Sequence, residues 1–188
     1  PAQAAPPTAD AKDPLPTATP PGRRPAGSVA RLEDDVPPPV IDGVLDDPAW
    51  SLAHPIAAFR QVEPNEGAPP TEATEVRLVS DEDYLYVAFR CFDREPARII
   101  ATQLQRDGSL GSDDRIAFII DTFLDRRNAF YFEMNPAGAR GDALIEDNDN
   151  FRKEWDGIWK GDAAIDELGW TAEFAIPAKT LSFDPALE

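Results

Sequence analysis

Apolar and polar residues alternate with a period of two over long stretches of the chain. Because successive side chains of a β-strand point to opposite faces, this period indicates strands rather than helices. The alternation is clearest from Tyr84 to Phe92, where large apolar residues recur. The same pattern, or a short apolar run, predicts six strands, over residues 74–79, 84–92, 114–123, 128–135, 157–165 and 169–177.

Turn-forming residues separate these predicted strands, at positions 80–83, 124–127, 135–138 and 167–169. Many short strands with such turns predict an all-β fold, an antiparallel, jelly-roll-like β-sandwich. Only two short helices are expected. One lies within residues 96–106, and the other follows Asp47-Pro48, an N-cap with proline at the first helical position, and carries Trp50.

The first 39 residues have a different composition from the rest. Eleven of the 20 prolines lie there, and aromatic residues are absent from the segment. Proline has no backbone N–H to donate, and the segment offers little apolar area to offset the entropy cost of ordering. We therefore predict a disordered arm over residues 1–39, as a passive tether or a docking arm, and one folded domain over residues 40–188.

The formal net charge of −17 at pH 7 restricts the classes of partner. An acidic surface repels phosphate backbones, so a nucleic-acid partner is not expected. No apolar run reaches the length of a membrane span, so this segment is not expected to insert into a bilayer.

Several hard oxygen ligands lie within one short acidic stretch, at Asp142, Glu146, Asp147 and Asp149. Carboxylates in such density suit calcium, although the spacing lacks the glycine and terminal glutamate of an EF-hand. The alternative is a solvated acidic surface without metal. A calcium site formed by these four residues is one expectation to test.

Residue types that carry catalysis are scarce. His54 is the only histidine and Cys91 the only cysteine, so a disulfide within the chain is impossible. No Ser/His/Asp set and no zinc-ligand spacing is present. Paired carboxylates of a glycoside hydrolase remain a distant alternative, because no pair stands out among 35 acidic residues. We predict that the chain is not an enzyme.

Four segments occur in an order known from one family. They are Ile41-Asp-Gly-Val-Leu-Asp-Asp-Pro-Ala-Trp50, Tyr84-Leu-Tyr-Val, Ser112-Asp-Asp-Arg with Phe118-Ile-Ile-Asp121, and Gly169-Trp-Thr-Ala-Glu-Phe-Ala-Ile-Pro177. Through them the chain resembles family 9 carbohydrate-binding modules over most of residues 40–183. The resemblance implies a β-sandwich that binds a glycan or oligosaccharide without cleaving it.

A narrower resemblance rests on Asp121-Thr-Phe-Leu-Asp-Arg-Arg, on the stretch from Phe132 to Ile145 and on Trp155-Asp-Gly-Ile-Trp. These segments are similar to the N-terminal module of a bacterial outer-membrane family. That resemblance implies an exported protein of the periplasm or outer membrane. It further implies a downstream β-barrel of the same protein as a partner, so that the chain is part of a longer protein.

The residues that clamp sugar in the family are replaced here. The resemblance places its first tryptophan near Gly111, its carboxylate at Ala117 and its arginine at Glu133, with the second tryptophan beyond Glu188. Two hypotheses therefore stand. The chain is a glycan-binding accessory domain, or it is a structural or gating domain that contacts its own barrel or a partner protein without binding sugar.

A different set of residues could bind a sugar. Aromatic faces bind sugar C–H surfaces, and planar polar side chains bind the hydroxyl groups. The candidates are Asn135, Arg140, Asp142, Trp155 and Trp159. Trp159 lies in a predicted strand, where core packing competes with ligand binding, whereas Trp155 lies in a loop. The other two tryptophans, Trp50 and Trp170, lie in apolar patterns typical of a core.

Overall fold

A computed structural model describes residues 27–33 and 35–181. Its strands are β1 Ala30–Arg31, β2 Thr74–Ser80, β3 Tyr84–Phe92, β4 Ile116–Ile120, β5 Ala129–Met134, β6 Arg140–Glu146, β7 Asn150–Arg152, β8 Lys160–Asp166 and β9 Gly169–Pro177. Three short 3-10 helices span Pro48–Leu52, Pro96–Arg98 and Ala178–Thr180. None of these helices has the length and apolar character needed to cross a membrane.

The strands form two sheets, a five-stranded sheet in the order β1-β2-β3-β9-β8 and a four-stranded sheet in the order β4-β5-β6-β7. All neighbouring strands are antiparallel except β1 and β2, which pair in parallel with Ala30 opposite Val79. The structure thus confirms the predicted all-β sandwich.

The core lies between the inner faces of the two sheets. Phe118 of the four-stranded sheet packs edge-on against Phe174 of the five-stranded sheet, with ring centroids 5.0 Å apart. Phe132 lies beside Phe118 at 5.4 Å. Trp170 is buried in the same core, as predicted. Cys91 is buried there too, and burial raises the pKa of its thiol to about 12.

A second apolar cluster lies on the outer side of the five-stranded sheet, beneath the segment that precedes β2. Glu173 of β9 holds this segment. Its Oε2 accepts hydrogen bonds from the backbone N–H groups of Asp42 (3.1 Å) and Gly43 (2.8 Å), and its Oε1 accepts one from Trp50 Nε1 (2.8 Å). Burial raises the pKa of Glu173 to about 7, although these hydrogen bonds oppose the rise. Trp50 is buried, as predicted.

Gly43 is required at this contact for two reasons. Its φ of +84° lies in the left-handed region, and a Cβ there would come within 2.6 Å of the backbone carbon of Ala163. The bend at Asp42-Gly43 therefore brings the segment down onto β8 and β9.

The boundary of the predicted arm is wrong. Strand β1 (Ala30–Arg31) lies inside the segment assigned to the arm, and Leu32 N–H donates to Ser80 O at 2.8 Å. A two-residue strand has no alternation to detect, and prolines 37–39 follow it closely. Residues 1–26 of the arm lie outside the described residues.

The predicted helix over residues 96–106 is limited to Pro96–Arg98. Two aspartate side chains accept hydrogen bonds from the backbone N–H groups that would otherwise donate to carbonyl groups of a longer helix. Asp114 accepts from Ile100 N–H at 2.7 Å, and Asp113 accepts from Thr102 and Gln103 N–H at 2.9 Å each.

Two strands, β6 and β7, arise where the sequence indicated only a ligand-bearing stretch. Asp147 (φ 52°) and Asn148 (φ 74°) form the turn between them, both in the left-handed region. Aspartate and asparagine tolerate that region better than most residues do, which makes them suitable for a hairpin turn. The acidic composition of this stretch is thus explained in part by turn formation.

Candidate functional site

Three of the five predicted ligand residues contact one another inside the sandwich. Trp159 is 4% exposed, and its Nε1 donates to Asp142 Oδ2 at 2.6 Å. The Arg140 guanidinium lies over the Trp159 ring, 5.3 Å from its centroid. Burial raises the pKa of Asp142, opposed by hydrogen bonds from Trp159 and Gly157 N–H and by the charge of Arg106.

Arg106 closes this cluster from the side. Its Nη2 donates to Asp142 Oδ2 at 2.7 Å and to Gly157 O at 3.1 Å, and it also contacts Asp156. The Asp142 carboxylate therefore bonds to the protein on both oxygens, because Gly157 N–H donates to its Oδ1. Because both oxygens of Asp142 are bonded within the fold, the cluster has a structural role rather than the geometry of an open ligand site.

Asn135 is fully buried at the turn between β5 and β6. Its Nδ2 donates to Gln103 O (2.9 Å) and Asp113 Oδ2 (2.7 Å), and its Oδ1 accepts from the N–H groups of Ala137 (3.1 Å) and Ala139 (2.8 Å). An amide side chain has two donors and two acceptor sites, so all four are occupied within the fold.

Trp155 is placed differently from the other candidates. It is half-buried, and its ring packs against Phe130 with centroids 5.2 Å apart. It also lines a cavity of about 270 Å³, here termed the Trp155 cleft. No hydrogen bond from Trp155 Nε1 is found among the described residues.

The Trp155 cleft combines apolar walls with polar groups. The apolar side chains are Phe123, Phe130, Leu144 and Trp155, and the polar ones are Asn128, Glu146 and Thr180. Phe123 is 41% exposed, so part of the aromatic wall is open to solvent. The arrangement offers both an aromatic face and hydrogen-bonding groups to one small ligand.

The β4–β5 loop, residues 121–128, borders the cleft and is held by its own carboxylates. Asp121 Oδ2 accepts from Arg126 N–H at 2.8 Å, and Asp125 Oδ1 accepts from Asn128 N–H at 2.9 Å. Leu124 (φ 53°) and Arg126 (φ 58°) adopt left-handed conformations without being glycine. Such backbone strain clusters at ligand-binding sites.

A second cavity, of about 610 Å³, adjoins the Trp155 cleft on the outer face of the four-stranded sheet. The two share Asn128, Ala129 and Ile145. The outer cavity has Ile119 on its floor, and its polar lining is Asp121, Arg126, Arg127, Asn128 and Asn148. The β4–β5 loop therefore contributes side chains to both cavities.

The four predicted calcium ligands are not brought together. Asp142 is buried at Trp159, whereas Glu146 pairs with Arg152 at 3.2 Å and Asp147 pairs with Arg127. Asp149 lies exposed in the β6–β7 turn. Within residues 27–33 and 35–181, no group of three or more His, Cys, Asp or Glu side chains is placed to hold a metal ion. Calcium binding stays a prediction.

Two of the clamp positions implied by the resemblance, Ala117 and Glu133, lie on the outer face of the four-stranded sheet. Ala117 is directly opposite Glu133 in the β4–β5 pair. Glu133 Oε2 accepts hydrogen bonds from Arg115 Nη1 at 2.7 Å and from the Tyr131 hydroxyl at 2.8 Å. This network differs from the implied clamp in both residue type and charge.

Sequence reasoning missed Phe123, Asn128 and Thr180 of the Trp155 cleft, and it missed Glu173. A usable signal existed only for Glu173, which is the one acidic residue in the apolar run of β9. The three cleft residues come from segments distant in sequence from Trp155, and only the fold brings them together.

No family model matches the sequence, and no curated protein matches it. Among solved structures, the chain is similar to a family 9 carbohydrate-binding module from Caldicellulosiruptor kristjanssonii in complex with cellotriose. The TM-score is 0.53 at 14% identity, over 80% of this chain and 67% of that one. The glucose complex of such a module from the same organism gives a TM-score of 0.54 at 17% identity, over 82% and 71%. These likenesses show the fold.

Proposed function

We propose that this protein is a non-catalytic carbohydrate-binding domain whose ligand occupies the Trp155 cleft. The observation that carries this proposal is the placement of Trp155. Its indole lines a cavity, and no hydrogen bond from its Nε1 is found among the described residues. The other predicted tryptophan, Trp159, has its Nε1 bonded to Asp142.

The chemistry of the cleft suits a sugar ring. The C–H face of the sugar packs on the indole. Asn128, Glu146 and Thr180 already bond to Asp125, Arg152 and Ile158 O. They therefore bind hydroxyl groups through the second amide N–H of Asn128, Oε1 of Glu146 and the acceptor lone pairs of Thr180. The volume of about 270 Å³ lies just below the range of about 300–1,000 Å³ of small-molecule sites, so the cleft suits a single ring rather than a longer chain.

The acids of the cleft support binding without cleavage. Glycoside hydrolysis requires two carboxyl groups about 5–9.5 Å apart across the scissile bond. Glu146 is the only carboxylate among the described residues that line the Trp155 cleft, and it pairs with Arg152. The similar solved modules, which hold glucose and cellotriose, support the same ligand class.

The cellular setting of this function is also a proposal. The resemblance of the segments around Asp121 and Trp155 supports an exported domain of the periplasm or outer membrane that precedes a β-barrel. Fractionation of the native host with an antibody against the domain tests this. Recovery in the outer-membrane fraction supports it, and recovery in the cytoplasm contradicts it.

An interaction domain without sugar binding is the second candidate. One observation favours it, the Glu133 network with Arg115 and Tyr131 at the position where the resemblance implies a sugar clamp. This face would then contact the barrel or a partner protein.

The deciding experiment is affinity electrophoresis against gels that contain neutral polysaccharides, with glucose and cellotriose as competitors. Trp155→Leu removes the indole face but keeps apolar contacts with Phe130. Phe151→Ala is the matched control, because Phe151 is 47% exposed and does not line the cleft.

The proposal predicts that the native domain is retarded and that Trp155→Leu weakens binding at least tenfold, while Phe151→Ala leaves it unchanged. Equal binding by the native and Trp155→Leu domains would contradict the assigned site. Absence of retardation on every gel would favour the interaction domain.

A further inference from the structure

A third cavity lies on the outer face of the five-stranded sheet. It encloses about 870 Å³ and is here termed the Arg90 groove. Its floor includes one row of residues that face each other across four strands, Glu75 of β2, Arg90 of β3, Thr171 of β9 and Ala164 of β8. The segment that carries Trp50 forms its wall.

Two half-buried ion pairs line the groove. Arg90 binds Asp166 in bidentate fashion at 2.6 and 2.8 Å, and its side chain is only 12% exposed. Arg77 pairs with Glu75 at 3.0 Å. Bidentate pairs of low exposure hold planar polar groups in fixed orientations, which is how a preformed site presents donors and acceptors.

Apolar surface lies beside these pairs. The Arg90 guanidinium stacks on the Phe92 ring, 5.5 Å from its centroid, and Phe92 also lines the groove. Ile165 and Leu168, exposed by 49% and 60%, extend the apolar surface outward. Planar polar groups next to an aromatic ring are the same combination that the Trp155 cleft offers.

The charges of the groove identify the ligand class. Two arginines face three carboxylates, those of Glu75, Asp166 and Asp46, and the whole chain carries −17. This balance disfavours phosphate, sulfate and uronate groups. A neutral polyhydroxylated ligand matches paired donors and acceptors without net charge. The volume lies within the range of about 300–1,000 Å³ that suits a small molecule, here a short oligosaccharide.

We infer that the Arg90 groove is a second binding site for a neutral saccharide. The ligand class rests on the proposed function, whereas the location is independent of it. Because the two sites share no lining residue, one domain would bind two segments of polysaccharide and hold separate chains together.

The test is a titration of the ¹⁵N-labelled domain followed by two-dimensional NMR. The probes are glucose, cellotriose, maltotriose, xylotriose and mannotriose. Signals of Phe92, Thr171 and the Arg90 Nε–H report on the groove, and signals of Leu144 and the Trp155 indole report on the cleft. Phe92→Leu and Trp155→Leu are titrated in parallel.

The inference predicts two separate sets of shifts with at least one probe. Phe92→Leu should weaken the groove response at least fivefold while the cleft response persists, and Trp155→Leu should do the reverse. Shifts confined to the cleft would overturn the second site and leave the proposed function intact. Shifts confined to the groove would support the second site and overturn the Trp155 cleft. No shifts with any probe would overturn both.

Discussion

Trp155 and Trp159 are four residues apart and meet the same ring, that of Phe132, yet their surroundings differ. Trp159 stacks on Phe174 at 5.3 Å with an interplanar angle of 17°, and its Nε1 bonds to a buried carboxylate. Trp155 packs on Phe130, lines a cavity and lacks an Nε1 acceptor among the described residues.

The difference teaches that a candidate ligand tryptophan combines two features, an Nε1 without an acceptor among the described residues and a place in a cavity lining. Trp170 also lacks such an acceptor, but it is buried in the core. A buried N–H must be paired, because leaving it unpaired costs free energy. Trp50 follows the same rule, since its Nε1 bonds to the buried Glu173. Two tryptophans are thus fixed by carboxylates inside the fold, whereas Trp155 keeps its donor available.

The largest expected effect is on Trp159. Trp159→Ala should lower the free energy of unfolding by about 3–5 kcal/mol, because a cavity opens against Phe174. Trp159→Phe keeps the stacked ring and loses the hydrogen bond to Asp142, so it should cost about 1–3 kcal/mol. Urea denaturation of both variants measures this. A loss of free energy of unfolding near zero for Trp159→Ala would contradict the assignment of Trp159 as a core residue.

A second effect concerns Glu173, the partner of Trp50. Its pKa of about 7 lies above the ordinary 4.5, so the folded state retains a proton that the unfolded state releases. The contribution of Glu173 to the free energy of unfolding is fully present below pH 4.5. It is lost as the pH rises to about 7, and the loss is on the order of 3 kcal/mol.

The measurement is the free energy of unfolding between pH 4.5 and 8 for the native domain and for Glu173→Gln. The native curve should fall relative to that of the variant across this window. The pKa of Asp113 is lowered to about 2, so this carboxyl group titrates below the pH range of the experiment and does not change the curves. Parallel curves would show that Glu173 does not titrate in this way.

The smallest effect is on the stability contribution of Trp155. Trp155→Leu retains apolar contact with Phe130 and removes no hydrogen bond found in the structure, so the free energy of unfolding should fall by only about 1 kcal/mol. A loss as large as that of Trp159→Ala would mean that Trp155 is a core residue and would remove the contrast.

The sandwich could be predicted because period-two alternation and turn residues reveal strands locally. The bounds of β3 and β9 match the predicted segments, since long alternating runs with clear turns leave little choice of register. Strands β6 and β7 were missed, because the acidic residues of β6 and of the turn that follows it suggested metal ligands more strongly than strand pairing. Asp142 illustrates the problem, since its acidic side chain lies inside the fold.

The site could be predicted only in part for a related reason. Residue types suited to sugar binding were visible around Trp155, but whether a polar group is already bonded depends on partners distant in sequence. Asn135 is occupied by Gln103 and Asp113, more than twenty residues away in each case, and no local pattern reveals this.

The most direct measurement is a crystal structure of the domain soaked with the oligosaccharide that binds most tightly on the gels. The account predicts a sugar ring stacked on the indole of Trp155, with a hydroxyl group near Trp155 Nε1 and the β4–β5 loop unchanged. An empty Trp155 cleft in crystals that hold the sugar elsewhere would contradict it.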